Sequence, residues 1–92
     1  MYTLKFTTAY KKGYKRIKKR GLSLARLDAV IEMLRKGQKL PDKYYDHALK
    51  GSLEGFHECH IQPDWLLIYL IEDDILTLTL VDTGSHSDLF NL

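Results

Sequence analysis

The 92-residue chain has a single cysteine, Cys59, no apolar run longer than Trp65–Ile71, and no lysine or arginine after Lys50. One cysteine excludes an intrachain disulfide and leaves no sign of an oxidising compartment. The apolar run is far short of the ~20 residues that span a bilayer. The opening Met1-Tyr2-Thr3-Leu4-Lys5-Phe6 lacks the charged start, apolar segment and small-residue cleavage site of a secretory signal. A cytoplasmic location with no membrane partner is therefore expected. Gly51, Gly55 and Gly84 do not fall at a nucleotide-cradling spacing. Repeats, linkers and low-complexity tracts are also missing, so residues 1–92 read as one domain with one modest core.

The missing cations of the second half have a counterpart in the first. All fourteen Lys and Arg lie in residues 1–50 beside only Asp28, Glu32, Asp42 and Asp46, whereas residues 51–92 carry the other acids. Lys11, Lys12, Lys15, Arg16, Lys18, Lys19 and Arg20 crowd into one short segment. Such a cluster repels itself unless something anionic docks on it, and so points to a polyanion or an acidic protein segment as partner.

Tyr2, Leu4 and Phe6 alternate with Thr3 and Lys5, which predicts a strand over Met1–Thr7. Thr8 is the expected cap of a first helix, carrying Tyr10, Tyr14 and Ile17 at helical spacing and ended by Gly21; Gly13 weakens it by roughly 1 kcal/mol. Ser23 caps a second helix with the stripe Leu24, Leu27, Val30, Ile31 and Leu34, up to Gly37. The short link makes the two helices an antiparallel hairpin. Gly37–Tyr45, which contains Pro41, reads as a loop. Strands are predicted around His47–Lys50, Phe56–Gln62, Leu66–Glu72 and Ile75–Val81, joined by links short enough for antiparallel neighbours. Leu76, Leu78 and Leu80 share one face, which the helices would cover, leaving the opposite face as a shallow cleft. Ser85 caps a final helical turn through Phe90. The fold class is α+β.

Chemistry-bearing residues gather at the ends of these strands: His47, His60, Asp64 with Trp65, and His86. Strand alternation puts His57, Cys59 and Ile61 on one face and Phe56, Glu58 and His60 on the other. With Cys59 and Ile61 in the core, His60 points into the cleft. The same alternation breaks up a metal site from His57, Cys59 and His60, and no second ligand pair completes one, so no metal or other cofactor is expected. Cys59, buried among apolar neighbours, is not a nucleophile. Metal-free RNA cleavage needs a base for the 2′-hydroxyl, an acid for the leaving 5′-oxygen and stabilisation of the phosphate. Histidine can act as acid or base, each role being worth about 10²–10⁴-fold.

The runs Tyr45-Asp46-His47-Ala48-Leu49-Lys50-Gly51, Glu58-Cys59-His60-Ile61-Gln62-Pro63-Asp64-Trp65-Leu66-Leu67-Ile68-Tyr69 and Thr83-Gly84-Ser85-His86-Ser87-Asp88-Leu89-Phe90 closely resemble the YafQ-like mRNA interferases. These belong to the RelE/ParE superfamily of bacterial toxins. The resemblance spans essentially the whole chain, with the specific motifs in its second half. It implies a RelE-like fold: an N-terminal strand, a two-helix hairpin and an antiparallel sheet ending in a helical turn. It also implies ribosome-dependent, metal-independent mRNA cleavage to a 2′,3′-cyclic phosphate, a cognate antitoxin as partner, and operator DNA bound only through the antitoxin complex.

Position by position, His47, His60, Asp64 and His86 match catalytic residues, while Phe90 matches one that orients the message and Trp65 an aromatic flanking the site. Roles expected on this basis are His86 as general acid, Asp64 and His47 around the 2′-hydroxyl, and His60 at the phosphate, with Trp65 and Phe90 either packing on bases or filling the core. The basic cluster Lys11–Arg20 would hold ribosomal RNA or the antitoxin. The family commonly has arginine where this chain has Asp82, and also at His57. An aspartate in the cleft would repel phosphate, which keeps open a weakened enzyme, a non-catalytic antitoxin- or RNA-binding module, or a gyrase-inhibiting relative.

Overall fold

The computed structural model describes residues 1–90. Strand β1 (Thr3–Phe6) leads into helices α1 (Thr8–Lys19) and α2 (Leu24–Arg35). Then come β2 (His47–Ala48), β3 (His57–Gln62), β4 (Trp65–Glu72), β5 (Thr77–Gly84) and α3 (His86–Phe90). Short 3₁₀ turns occupy Asp42–Tyr44, Gly51–Leu53 and Asp73–Ile75. The five strands form one sheet in the order β1-β5-β4-β3-β2. Strands β2 to β5 make the expected antiparallel meander, but β1 joins β5 in parallel, with Leu4 opposite Leu78 and Phe6 opposite Leu80. The sheet is therefore mixed. Alternation shows which residues form a strand but carries no information on direction between partners some seventy positions apart.

Element boundaries also differ, two of them with a clear physical cause. Thr7, rather than Thr8, caps α1: its hydroxyl accepts the Tyr10 N–H at 2.9 Å and donates to the Val81 carbonyl. Strand β5 starts two residues late, because Asp73–Ile75 takes a 3₁₀ turn and Leu76 is left-handed (φ 47°) and exposed. The leucine face is thus Leu78 and Leu80 alone. Ser23 caps α2 as expected, accepting from Arg26 N–H.

Ile17, Leu27 and Val30 from the helices meet Cys59, Trp65, Leu67, Tyr69, Leu78 and Leu80 from the sheet in one core. Burying each large apolar side chain contributes roughly 1.5–3 kcal/mol. The core sits on the helix side of the sheet and leaves the other side to the cleft.

Strand β5 runs four residues past its pairing with β1, and α1 covers the edge so left open. Thr7 binds there, and farther along Gly13 lies so close that a Cβ on it would stand 2.3 Å from the Thr83 carbonyl oxygen. The glycine that weakens the isolated helix is what lets the helix reach the sheet. Gly13→Ala is accordingly expected to lower stability by about 1–3 kcal/mol, measured by urea unfolding, against the roughly 1 kcal/mol that helix propensity alone would add.

Candidate active site

The site begins with the alternation of β3. Cys59 and Ile61 go to the core, and Glu58 and His60 emerge on the opposite face. Antiparallel register places His47 opposite Glu58, Ile68 on the other side of Glu58, and Leu66 beside His60. Leu66 and Ile68 are buried and give this face an apolar floor. On it, Glu58 is only 5% exposed, and one of its oxygens, Oε1, lies 3.3 Å from His60 Nε2 and 3.7 Å from His47 Nε2. His47 Nδ1–H donates to the Tyr45 carbonyl at 2.7 Å, which fixes the ring from behind. A buried carboxylate shared by two imidazoles is therefore the centre of the cluster.

His86 completes it from the other end of the sheet. Its ring meets that of His60 edge-on, with centroids 5.7 Å apart. Asp64, in the β3–β4 turn, accepts both the His86 backbone N–H at 3.0 Å and its Nδ1–H at 2.6 Å. Those bonds hold the Asp64 carboxyl below its usual range, the backbone bond first, and engage His86 through Nδ1 rather than Nε2. Asp64 is therefore bonded to His86 and orients it, whereas the expectation above set it with His47 around the 2′-hydroxyl.

Helix α3 is fixed by its own start and by α1. The Ser85 N–H donates to Asp88 at 2.8 Å and the Asp88 N–H returns to the Ser85 hydroxyl at 3.1 Å. Arg20 grips the same carboxylate through both terminal nitrogens, at 2.6 and 3.0 Å, and Arg16 approaches to 3.7 Å. The Arg20 guanidinium, with the Ser85 bonds behind it, drives the Asp88 carboxyl far below its usual range. Arg20 also reaches Asp64 electrostatically.

Other expected site residues fall elsewhere. Trp65 is not an exposed aromatic at the cleft: it begins β4, is 2% exposed, and donates its indole N–H to Thr83 Oγ1 at 3.0 Å. In this position it packs the core and cannot stack on a base. Phe90 is partly buried at the end of α3. Of the basic cluster, Arg16 and Arg20 are engaged with Asp88, and Arg20 shares the outward surface with Lys11, Lys12, Lys15, Lys18 and Lys19. His57 stacks on Tyr69 on the core side, and burial pushes the Cys59 thiol far up. Asp82 pairs in register with Ile68, two strands or roughly 10 Å from Glu58. Its carboxylate turns to the Thr83 N–H at 2.8 Å, lies against α1 at Gly13 near Arg16, and has its pKa raised by burial.

Sequence reasoning missed Glu58 and Asp88. Glu58 shares the His60 face of β3, and Asp88 stands three residues after the Ser85 cap; both signals were present in the spacing. Among the described residues, no group of three or more His, Cys, Asp or Glu is placed to hold a metal ion.

Comparison with known proteins identifies the family. The family described as bacterial toxin of type II toxin–antitoxin system, YafQ, matches residues 2–91. The chain belongs to this family. The mRNA interferase toxin YafQ of Escherichia coli K12 is 34% identical over 88 residues, covering 95% of this chain and 94% of the relative. A metal-bound toxin from Helicobacter pylori superposes with a TM-score of 0.92 at 44% identity, covering 98% of this chain and all of that one. YafQ from the E. coli DinJ–YafQ complex superposes with a TM-score of 0.88 at 31% identity, covering 98% of this chain and 99% of that one. The RelE-like layout is thus that of the YafQ toxins.

Two carboxylates that lie against α1, Asp88 and Asp82, have opposite linkage. Asp88, depressed in the folded state, stabilises the protein above the ordinary carboxylate range, and this is lost as pH falls through its folded pKa. Asp88→Asn is expected to cost about 1.5–3 kcal/mol at pH 7, with the difference from the parent shrinking below about pH 4. Asp82, raised in the folded state, is destabilising once ionised. Asp82→Asn should therefore raise the melting temperature at pH 7 and leave it unchanged below about pH 4, in the same thermal scans.

Proposed function

We propose that this YafQ-family toxin is an mRNA endoribonuclease acting on translating ribosomes by metal-independent acid–base chemistry, with activity held in check by a cognate antitoxin. The observation that carries the reading is the juxtaposition of an Asp64-oriented His86 with a Glu58 carboxylate shared by His47 and His60. In-line cleavage needs a base on one side of the phosphorus and an acid on the other. His86, held at Nδ1 by Asp64, protonates the leaving 5′-oxygen through Nε2. Glu58, assisted by His47, receives the 2′-hydroxyl proton. His60, between the two groups, faces the phosphate on which charge builds, and Phe90 orients the message. The products are a 2′,3′-cyclic phosphate and a 5′-hydroxyl.

The relatives support the rest of the reading. The E. coli relatives are named mRNA interferases, and YafQ is found in complex with DinJ. For this chain we infer cytoplasmic action, an antitoxin with an acidic segment, and operator DNA bound only through that complex. Lys11, Lys12, Lys15, Lys18 and Lys19 hold ribosomal RNA phosphates, so ribosome binding falls steeply with salt.

A second reading, a toxin-like module that binds its antitoxin and RNA but cleaves poorly, is favoured by one feature, Asp82 on the row that runs through Ile68 to Glu58. At roughly two strand spacings, with Arg16 beside it, its charge is largely screened from the phosphate.

Cleavage of a defined message on purified ribosomes, mapped by primer extension, tests both. His86→Ala is expected to reduce the rate by about 10²–10⁴-fold with ribosome binding retained; equal rates would end the assignment. Asp82→Arg should change the rate by less than about threefold, whereas a gain of about tenfold or more would establish the weakened-enzyme reading.

A further inference from the structure

The histidine cluster holds two carboxylates, Glu58 and Asp64, and the strands that carry it contribute no cation of their own. A polyanionic substrate needs positive charge close by. The structure brings it from the first half of the chain. A cavity of about 450 Å³ opens beside His60, lined by Arg26 of α2, Lys43 and Tyr45 of the loop before β2, and Ile61, Gln62 and Pro63 at the end of β3. Its size falls within the ~300–1,000 Å³ typical of small-ligand sites.

Tyr45 is the unusual wall. It is 69% exposed and left-handed (φ 48°, ψ 42°), a conformation disfavoured for a large side chain and concentrated at functional sites. Its N–H bonds to the Asp42 carbonyl at 3.0 Å, closing the 3₁₀ turn, and its carbonyl receives the His47 Nδ1–H. The ring lies 5.7 Å from that of His60, centroid to centroid. The backbone of this residue thus fixes one histidine, and its ring extends the aromatic surface of another into the cavity. Lys43 is itself steadied, its Nζ 5.1 Å from the centre of the Tyr44 ring.

We propose that this cavity is a nucleotide subsite in which Tyr45 stacks on the base and Arg26 and Lys43 neutralise the phosphate of a nucleotide adjoining the scissile bond. The proposal rests on the endoribonuclease reading. Gln62 supplies the amide that can hydrogen-bond a base edge, so sequence preference of cleavage is set in part here. The arrangement of His86, His60 and Tyr45 in series puts the reacting phosphate at the histidines and the bound base at the tyrosine.

The test titrates the full chain with adenosine 3′-monophosphate and with adenosine, reading the Tyr45 ring and Gln62 side-chain amide by NMR, alongside ribosomal cleavage. Expected are shifts at both groups with the monophosphate and weaker binding of adenosine. Arg26→Ala with Lys43→Ala should abolish that difference. Tyr45→Ala should weaken nucleotide binding about tenfold or more, and Tyr45→Phe should retain it. Tyr45→Asn, which accepts the left-handed turn, should lose stacking while keeping His47 in place. In cleavage all of these variants except Tyr45→Phe should raise KM with kcat nearly unchanged. If the parent cleaves message but neither group shifts and Tyr45→Ala and Tyr45→Asn cleave normally, the subsite is wrong and the endoribonuclease reading stands. If the nucleotide binds at Tyr45 and no message is cleaved, the subsite stands and that reading falls.

Discussion

The grip of Arg20 on Asp88 is the contact on which the geometry of the site depends. Asp88 belongs to a five-residue helix, too short to hold itself in water. The Ser85 exchange gives it a beginning, and the two-pronged arginine ties it to the much longer α1. With α3 so placed, the His86 N–H and Nδ1–H both reach Asp64 across the β3–β4 turn. Gly13 acts in the same chain of constraint, because α1 can present Arg16 and Arg20 to α3 only by lying against β5.

This tie gives a more particular meaning to the charge asymmetry. The cations of the first half do not all form one outward surface. Arg16 and Arg20 bind the acidic end of the chain, Arg26 and Lys43 line a cavity beside His60, and the five lysines of α1 remain exposed. An acidic, histidine-bearing sheet is thereby ringed by positive charge from another part of the chain, which a single net charge of +2 conceals.

Much of the fold was legible because period-two and helical patterns report burial directly. The separation of His57 and Cys59 from Glu58 and His60 followed from alternation alone, and the residues after Ser85 were read as a helical turn from a cap and its spacing. What alternation could not supply was partner and direction, hence the parallel entry of β1 beside β5. Nor does residue type reveal whether an aromatic at a strand end faces in or out: a tryptophan suits a base-stacking site and a core alike, and the indole of Trp65 is held inward by Thr83. Glu58 escaped notice because a lone glutamate looks like an ordinary solvent-facing residue until the register sets it between two imidazoles. Tyr45 escaped for the opposite reason, since its left-handed backbone leaves no mark on residue type.

The parallel contact between β1 and β5 carries one more consequence, for the order of events during synthesis. Domains fold as the chain emerges, but a pairing between segments this far apart in sequence cannot form until the later one has been made. Strand β5 separates β1 from the rest of the sheet, and His86 follows it directly. A nascent chain lacking β5 has an unpaired first strand, a helix α1 without the strand it lies against, and no His86. The cluster therefore comes together only once β5 and His86 have been made.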